Sequence, residues 1–450
     1  MLTRTHLRLF AAVILGGSLV AGCTAAEDDF AESVATNRAP LFQTANPVAG
    51  EYIVILKDDV SVAGQAATMN LATLVDDQAQ IGHTYRHLLN GFSAKLSPQA
   101  VDALRDDPRV AYVEENGEVR VETVHNVGAA GLEGLDRVDQ RTLPLDGNYD
   151  DHNNTGAGVN VYIVDTGINS SHNEFTGRIG SMTDFVGDGA GGEDCNGHGS
   201  HVASTSAGTQ FGLAKDATLH AVRVLNCSGS GTFAGVVAGV DFVAGDCGNQ
   251  PGPCVANMSL GGGFSQSLND AVANAVAAGV PFAVAAGNES SDACTRSPAS
   301  EPAAFTVAAS QDNDSHASFS NFGSCVDIYA PGVGVLGADI GGANATQTIS
   351  GTSMASPHVA GAIAQFLGTN PGASVAQVEQ AMKDAATPGC VNGAPGGTAN
   401  LIVFNDFSQS GAGQGCDGGG TCEPVGATCS TNSDCCSNKC RGRRGNRTCR

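Results

Sequence analysis

Five short apolar runs constrain this chain most: Val159–Asp165, Thr218–Leu225, Val255–Leu260, Val280–Ala286 and Phe305–Ala309. Each has the length of a strand and stays apolar rather than alternating, which suits a strand covered on both faces. Helix-like stretches accompany them at Gly235–Val243, Leu268–Ala278 and Ser374–Ala386, and in the last Ser374 and Gln377 are spaced as a capping box. Such alternation from Gly134 to about Asn405 predicts an α/β domain, a parallel sheet flanked by helices. In that architecture sites form beyond the carboxyl ends of the strands.

Smaller units flank this domain. Residues 50–121 hold strand-like Glu51–Leu56, helix-like Ala63–Asp77, strand-like Gly91–Leu96, a helix at Ser97–Asp107 with Pro98 at its first position, and strand-like Val110–Glu114, together a small α+β unit. Residues 24–47 read as a linker without periodicity, and 408–420 as a Gly/Ser/Gln linker. The end of the chain, 421–450, carries six cysteines in a stretch too short for an apolar core and must be a small disulfide-rich domain.

Charge and the first residues narrow the function classes. Lys and Arg number 22 against 45 Asp and Glu, a net charge of −23 that argues against a nucleic-acid partner. Arg4 and Arg8 precede an apolar run from Leu9 to Val20, too short to span a bilayer, so residues 1–22 read as a signal peptide. Val20-Ala21-Gly22-Cys23 resembles the lipobox of bacterial lipoproteins, which implies a lipid on Cys23 of the precursor as its one membrane link. Ordinary cleavage near Ala25 or Ala26 fits the same segment. With Cys23 set aside, the fifteen cysteines leave an even number for an oxidising compartment.

Three segments each place one reactive side chain among small residues. Val-Tyr-Ile-Val-Asp165-Thr-Gly puts a carboxylate at a strand end, Asn-Gly-His198-Gly-Ser-His201 an imidazole at a helix start, and Ser-Gly-Thr-Ser353-Met-Ala-Ser-Pro a hydroxyl at a helix N-terminus. These are the parts of an activated serine: the imidazole takes the hydroxyl proton and the carboxylate orients the imidazole. Asn288, in Ala285-Ala-Gly-Asn288 after another strand, offers an amide to an oxyanion.

The order Asp165, His198, Ser353 with Asn288 resembles the subtilisin-like serine proteases, specifically the proteinase K and aqualysin branch, over nearly all of Gly134–Phe407, which implies a peptidase domain at 126–407. Ser200 stands where that family usually has Thr. The resemblance implies a serine endopeptidase (catalytic Asp165, His198 and Ser353, oxyanion donor Asn288). It also implies two substrate-binding edges, Ser228, Gly229, Ser230, Gly231 and Ser259, Leu260, Gly261, Gly262. Small residues at 259–262 and 285–287 imply a roomy, mostly neutral S1 pocket with no obvious carboxylate, hence protein and peptide substrates of broad range with apolar or aromatic residues favoured at P1. His201 and His358 read as packing residues.

Residues 48–125 resemble the family's inhibitor I9-type propeptide, which implies a self-processed zymogen whose own propeptide is its intramolecular inhibitor, cut near Thr123–Ala129. Two structural Ca²⁺ sites are implied. One uses Pro302, Ala304 and Asp327, and the other Asp136, Asp139, Gln140, Asp146 and Asn148, where Asp146 replaces the usual Ser. Cys195–Cys227 and Cys294–Cys325 match aqualysin-type disulfides, and Cys247 and Cys254 close a short loop on each other. The tail is similar to a knottin framework, implying Cys422–Cys436, Cys429–Cys440 and Cys435–Cys449, with Cys390 and Cys416 left to join tail and domain. A competing class keeps the fold as an inactive scaffold that binds through this tail.

Overall fold

The computed structural model describes residues 38–122, 132–411, 440–443 and 446–449. The expected signal peptide, Cys23 and most of the tail's cysteines lie outside the described residues. Of the tail, the backbone strands Cys440–Arg443 and Asn446–Cys449 pair antiparallel.

The larger domain is built on a nine-stranded sheet. Its central strands Asn160–Asp165, Thr218–Arg223, Cys254–Met258, Phe282–Ala285, Phe305–Ser310 and Ile328–Pro331 run parallel, and only the marginal pair Thr387–Pro388 and Leu401–Ile402 is antiparallel. The runs are largely apolar rather than alternating because successive side chains enter two cores. Val161 and Ile163 pack with Val202, Val359 and Ile363 on one face, whereas Tyr162 and Val164 pack with Val237, Leu268 and Val272 on the other. Helices His198–Ala207 and Thr352–Thr369 supply the first face, and Phe233–Cys247 and Gln266–Ala277 the second. The capping box of Ser374 and Gln377 starts the helix Val375–Ala385.

From Asn160–Asp165 the chain builds one half of the sheet outward, and from the neighbouring Cys254–Met258 it builds the other. Connections therefore diverge between these two strands, and a crevice opens at their carboxyl ends. Asp165 ends one of the pair, and Ser259 follows the other.

The N-terminal unit is a second sheet, ordered Leu41–Phe42, Val110–Val121, Pro47–Leu56, Gly91–Lys95, Gln80–Tyr85, covered by helices Val62–Val75 and Pro98–Arg105. It has its own core of Val54, Leu56, Phe92, Leu96, Val101 and Leu104. The described end of the expected linker is structured: Leu41 and Phe42 pair with Val113 and Glu114, Ala39 is buried, and Arg38 bridges Asp102 and Asp106. Three disulfides brace the larger domain, Cys195–Cys227, Cys247–Cys254 and Cys294–Cys325, and Cys390 is disulfide-bonded as well.

Candidate active site

Asp165 and His198 meet in the crevice, and Ser353 lies against Ser259 at the end of the neighbouring strand. His198 opens its helix after Gly197, and a Cβ on the next residue, Gly199, would lie 2.2 Å from the carbonyl of Gly167, so only glycine lets the helix start this close to the Asp165 strand. Nδ1 of His198 lies 2.7 Å from Oδ1 of Asp165, and both side chains are buried. The same Oδ1 accepts the Thr166 N–H at 2.7 Å. The other ring nitrogen, Nε2, is buried without a partner. Ser353 sits in the first turn of its helix, where backbone amides point outward. Its Oγ donates to the Ser259 carbonyl at 2.9 Å.

Asn288 is positioned by its acceptor end: Oδ1 takes the Thr352 N–H at 2.9 Å and the Thr352 hydroxyl at 3.1 Å. That leaves Nδ2 buried and unpartnered. Two donors therefore frame one small space, the Asn288 amide and the Ser353 N–H.

The chain's own residues occupy this space. The strand Val110–Val121 leaves its sheet and runs antiparallel between two edges, pairing Arg120 with Ser230 and Val119 with Gly231 on one side. On the other side Val121, Arg120 and Val119 pair with Leu260, Gly261 and Gly262. Val121 donates to the Gly229 carbonyl at 3.0 Å and Glu122 to the Ser259 carbonyl at 3.4 Å, while the Glu122 carbonyl accepts from Ser353 N–H at 3.3 Å. Val119 is fully buried and shares a core with Phe233 and Leu260, a contribution of roughly 1.5–3 kcal/mol. Of the expected edge residues, only Ser228 stands apart, its N–H turned to Asn226 Oδ1 at 2.9 Å.

Some residues here were missed from sequence. Glu289 and Arg296, 3.5 Å apart, act on the Glu122 side chain, so the pocket expected to lack a nearby carboxylate has one beside it. The buried histidines, by contrast, are as read. His201 contacts the Val335 carbonyl at 3.0 Å and His358 the Met354 carbonyl at 2.7 Å, and burial pulls them down to about 3 and about 4, keeping both neutral.

The two expected cation sites differ. Near the start of the domain, Oδ1 of Asp136 and Oδ1 of Asp139 are buried and unpartnered, and Asp139 is pushed up to about 6 by burial and by Asp136 and Asp146. A cation would relieve that repulsion, and a cavity of about 340 Å³ opens beside Asp136 and Asn148. No three His, Cys, Asp or Glu side chains converge on a metal position among the described residues, so an ion here would need amide, carbonyl and water oxygens as well. At Asp327 a cation partner is already present: Lys383 Nζ lies 3.2 Å from Oδ1, and Thr306 N–H donates to Oδ2 at 3.0 Å.

Comparison with known proteins agrees with the geometry. The subtilase family (peptidase S8) matches residues 156–413, and peptidase inhibitor I9 matches residues 51–122. An extracellular serine proteinase of Thermus sp. (strain Rt41A) is 45% identical over 83% of this chain and 94% of its own length. Alkaline serine exoprotease A of Vibrio alginolyticus is 44% identical over 82% of this chain and 70% of its own. A crystal structure of a cold-adapted subtilisin-like serine proteinase, 49% identical, superposes with a TM-score of 0.58 over 62% of this chain and 99% of that one. Sheet, helices and both matched segments together place the chain in the subtilase family, as a subtilisin-like serine protease that carries an inhibitor I9 region ahead of its peptidase domain.

Proposed function

We propose that the chain is a secreted serine endopeptidase made as a self-cleaving zymogen, with Ser353 as nucleophile, His198 as general base and then acid, Asp165 as its orienter and Asn288 as an oxyanion donor. The observation that carries this is the pairing of a backed imidazole with an occupied cleft: Asp165 fixes His198 with Nε2 unpartnered, and a peptide carbonyl rests on Ser353 N–H. In the reaction, Ser353 Oγ attacks the substrate carbonyl and passes its proton to His198 Nε2. The oxyanion is held by the Ser353 N–H and the Asn288 amide. His198 then protonates the leaving amine, and water, deprotonated by the same nitrogen, releases the acyl group.

Main-chain pairing along Ser230–Gly231 and Leu260–Gly262 supports a broad substrate range, and the small residues at 259–262 and 285–287 support apolar or aromatic P1 residues. Export rests on Arg4, Arg8 and the run to Val20, and on the extracellular serine proteinase among the relatives. A lipid on Cys23 would sit ahead of the inhibitor region and be lost with it. Among the described residues no helix is long and apolar enough to cross a membrane. Calcium would be structural: Asp136, Asp139, Gln140, Asp146 and Asn148 would hold one ion, and Pro302, Ala304 and Asp327 a second in place of Lys383. Among the described residues nothing favours the inactive-scaffold alternative.

The test is intact mass after folding, for wild type and Ser353→Ala, with and without a fluorophosphonate. One adduct on Ser353 and loss of the N-terminal segment in wild type alone are expected. A folded wild type that is neither labelled nor cut would overturn the reading.

A further inference from the structure

Glu122 is held at the point where a cut would fall. Its carbonyl lies on Ser353 N–H and its own N–H on the Ser259 carbonyl, so its carbonyl carbon is the one presented to Ser353. Its side chain turns toward Gly261, where a Cβ would come within 2.8 Å of Oε1, and it accepts a bond from the Asn288 backbone N–H. The charged groups acting on it are Glu289, Arg296 and His198. Glu289 is itself fixed by Asn321 Nδ2 at 2.7 Å.

We propose that Glu122–Thr123 is the bond cut on maturation, and that the Glu122 carboxyl, seated beside Glu289, makes the hold of the cut segment on the enzyme depend on pH. This rests on the protease reading above. It places the cut at the N-terminal edge of the Thr123–Ala129 stretch expected from sequence. In the step itself, Ser353 Oγ bonds to the Glu122 carbonyl carbon and the bond to the Thr123 nitrogen breaks. The hydroxyl proton travels through His198 Nε2 to that nitrogen, and water then hydrolyses the acyl ester to leave the Glu122 α-carboxylate.

Burial first, and the Glu289 carboxylate second, push the Glu122 side chain up to about 7 from its ordinary 4.5. Its protonated form therefore fits the occupied pocket best. The sign follows: a group whose bound value is raised binds most tightly below its free value and loses that grip as pH rises through the bound one. The hold should weaken about tenfold per pH unit between about 5 and 7, on the order of 100-fold in all, and level off above 7.

The experiment uses the full chain, allowed to cut itself, as wild type and Glu122→Gln. The new N-terminus is read by sequencing, and the fraction of cut segment that still co-elutes with the enzyme after dilution is read at pH 5, 6, 7 and 8. Expected are an N-terminus at Thr123 and a hold that falls from pH 5 to 7 in wild type and far less in Glu122→Gln. Glu114, also at this interface, contributes equally to both chains. An enzyme labelled on Ser353 but cut elsewhere, or equal pH slopes in the two chains, overturns the inference alone. Absence of both label and cut overturns the protease reading and the inference with it.

Discussion

Oδ1 of Asp165 stands 2.7 Å from Nδ1 of His198, and both side chains are buried. The contact fixes the proton on Nδ1 and leaves Nε2 as the acceptor. Asp165→Asn keeps the shape but offers an N–H to Nδ1, which selects the wrong tautomer. It should lower kcat about 10⁴-fold with little change in KM. Steady-state kinetics on a peptide anilide check this, and a fall in kcat below about tenfold would remove Asp165 from the proposed role.

The hold of Asn288 on Thr352 and its proposed donation to an oxyanion lie at opposite ends of one amide, and they separate experimentally. Asn288→Ala removes Nδ2 from the oxyanion space, for about 10²–10³ in kcat. It also strands the buried Thr352 N–H, for about 1–3 kcal/mol of stability. Asn288→Asp keeps the acceptor and loses the donor. It should fall as far in kcat while the Tm, measured on the fluorophosphonate-blocked or Ser353→Ala chain, recovers most of the loss.

Much of this was legible because the strands are buried on both faces, so their apolar runs stand out without knowledge of partners. The reactive residues were legible because the close approaches around Gly167 and Gly199 leave a mark in the sequence. The inhibitory strand was not. Sequence alone ends it at Glu114, since Glu-Asn-Gly-Glu reads as polar and turn-like. It runs on to Val121 because edges more than a hundred residues away satisfy its backbone. Its alternation, Val119 and Val121 against Glu118 and Arg120, was the available signal. Lys383 beside Asp327, and Glu289 with Arg296 beside Glu122, depend wholly on tertiary placement and leave no local pattern.

Arg137 and Asp314 form a buried pair across the domain, Nε to Oδ1 at 2.6 Å and Nη2 to Oδ2 at 3.1 Å, both side chains nearly inaccessible. Asp314 has a left-handed backbone (φ 62°), which Asn also tolerates. Asp314→Asn leaves a guanidinium uncompensated and should cost about 3–5 kcal/mol in the Ser353→Ala chain. Removing both charges, Arg137→Met with Asp314→Asn, should cost less than the single change. A double variant weaker than the single one would show the pair acts by packing alone.

The inhibitor region is also gripped far from the cleft. Asp241 accepts the His87 N–H at 2.8 Å and the Leu88 N–H at 2.7 Å, a carboxylate of one domain closing a turn of the other. Asp241→Ala leaves both donors unpaired, at roughly 1–3 kcal/mol. The cut segment should dissociate about 10- to 100-fold faster, seen as a shorter lag before activity. Turnover of a short peptide by the released enzyme should be unchanged. A slower turnover would mean that the substitution reached the site.

Calcium makes the sharpest prediction about stability. Asp136 and Asp139 are both held above the ordinary carboxylate range, by burial first and then by the Asp146 carboxylate, and one buried oxygen of each has no partner. An ion bound there stabilises only the folded chain, by about 2.7 kcal/mol at a concentration 100 times its Kd. For a domain of this size that is roughly 5 °C or more in Tm. Adding EDTA to the Ser353→Ala chain should lower Tm by that amount, and Asp139→Asn should shrink the difference to whatever the Asp327 site supplies. At Asp327 the balance is different, because Lys383 already neutralises the carboxylate and an ion must displace it. Asp327→Asn should therefore change the EDTA effect less than Asp139→Asn does. Equal Tm values with calcium and with EDTA would remove both sites, and a larger effect from Asp327→Asn would reverse their order.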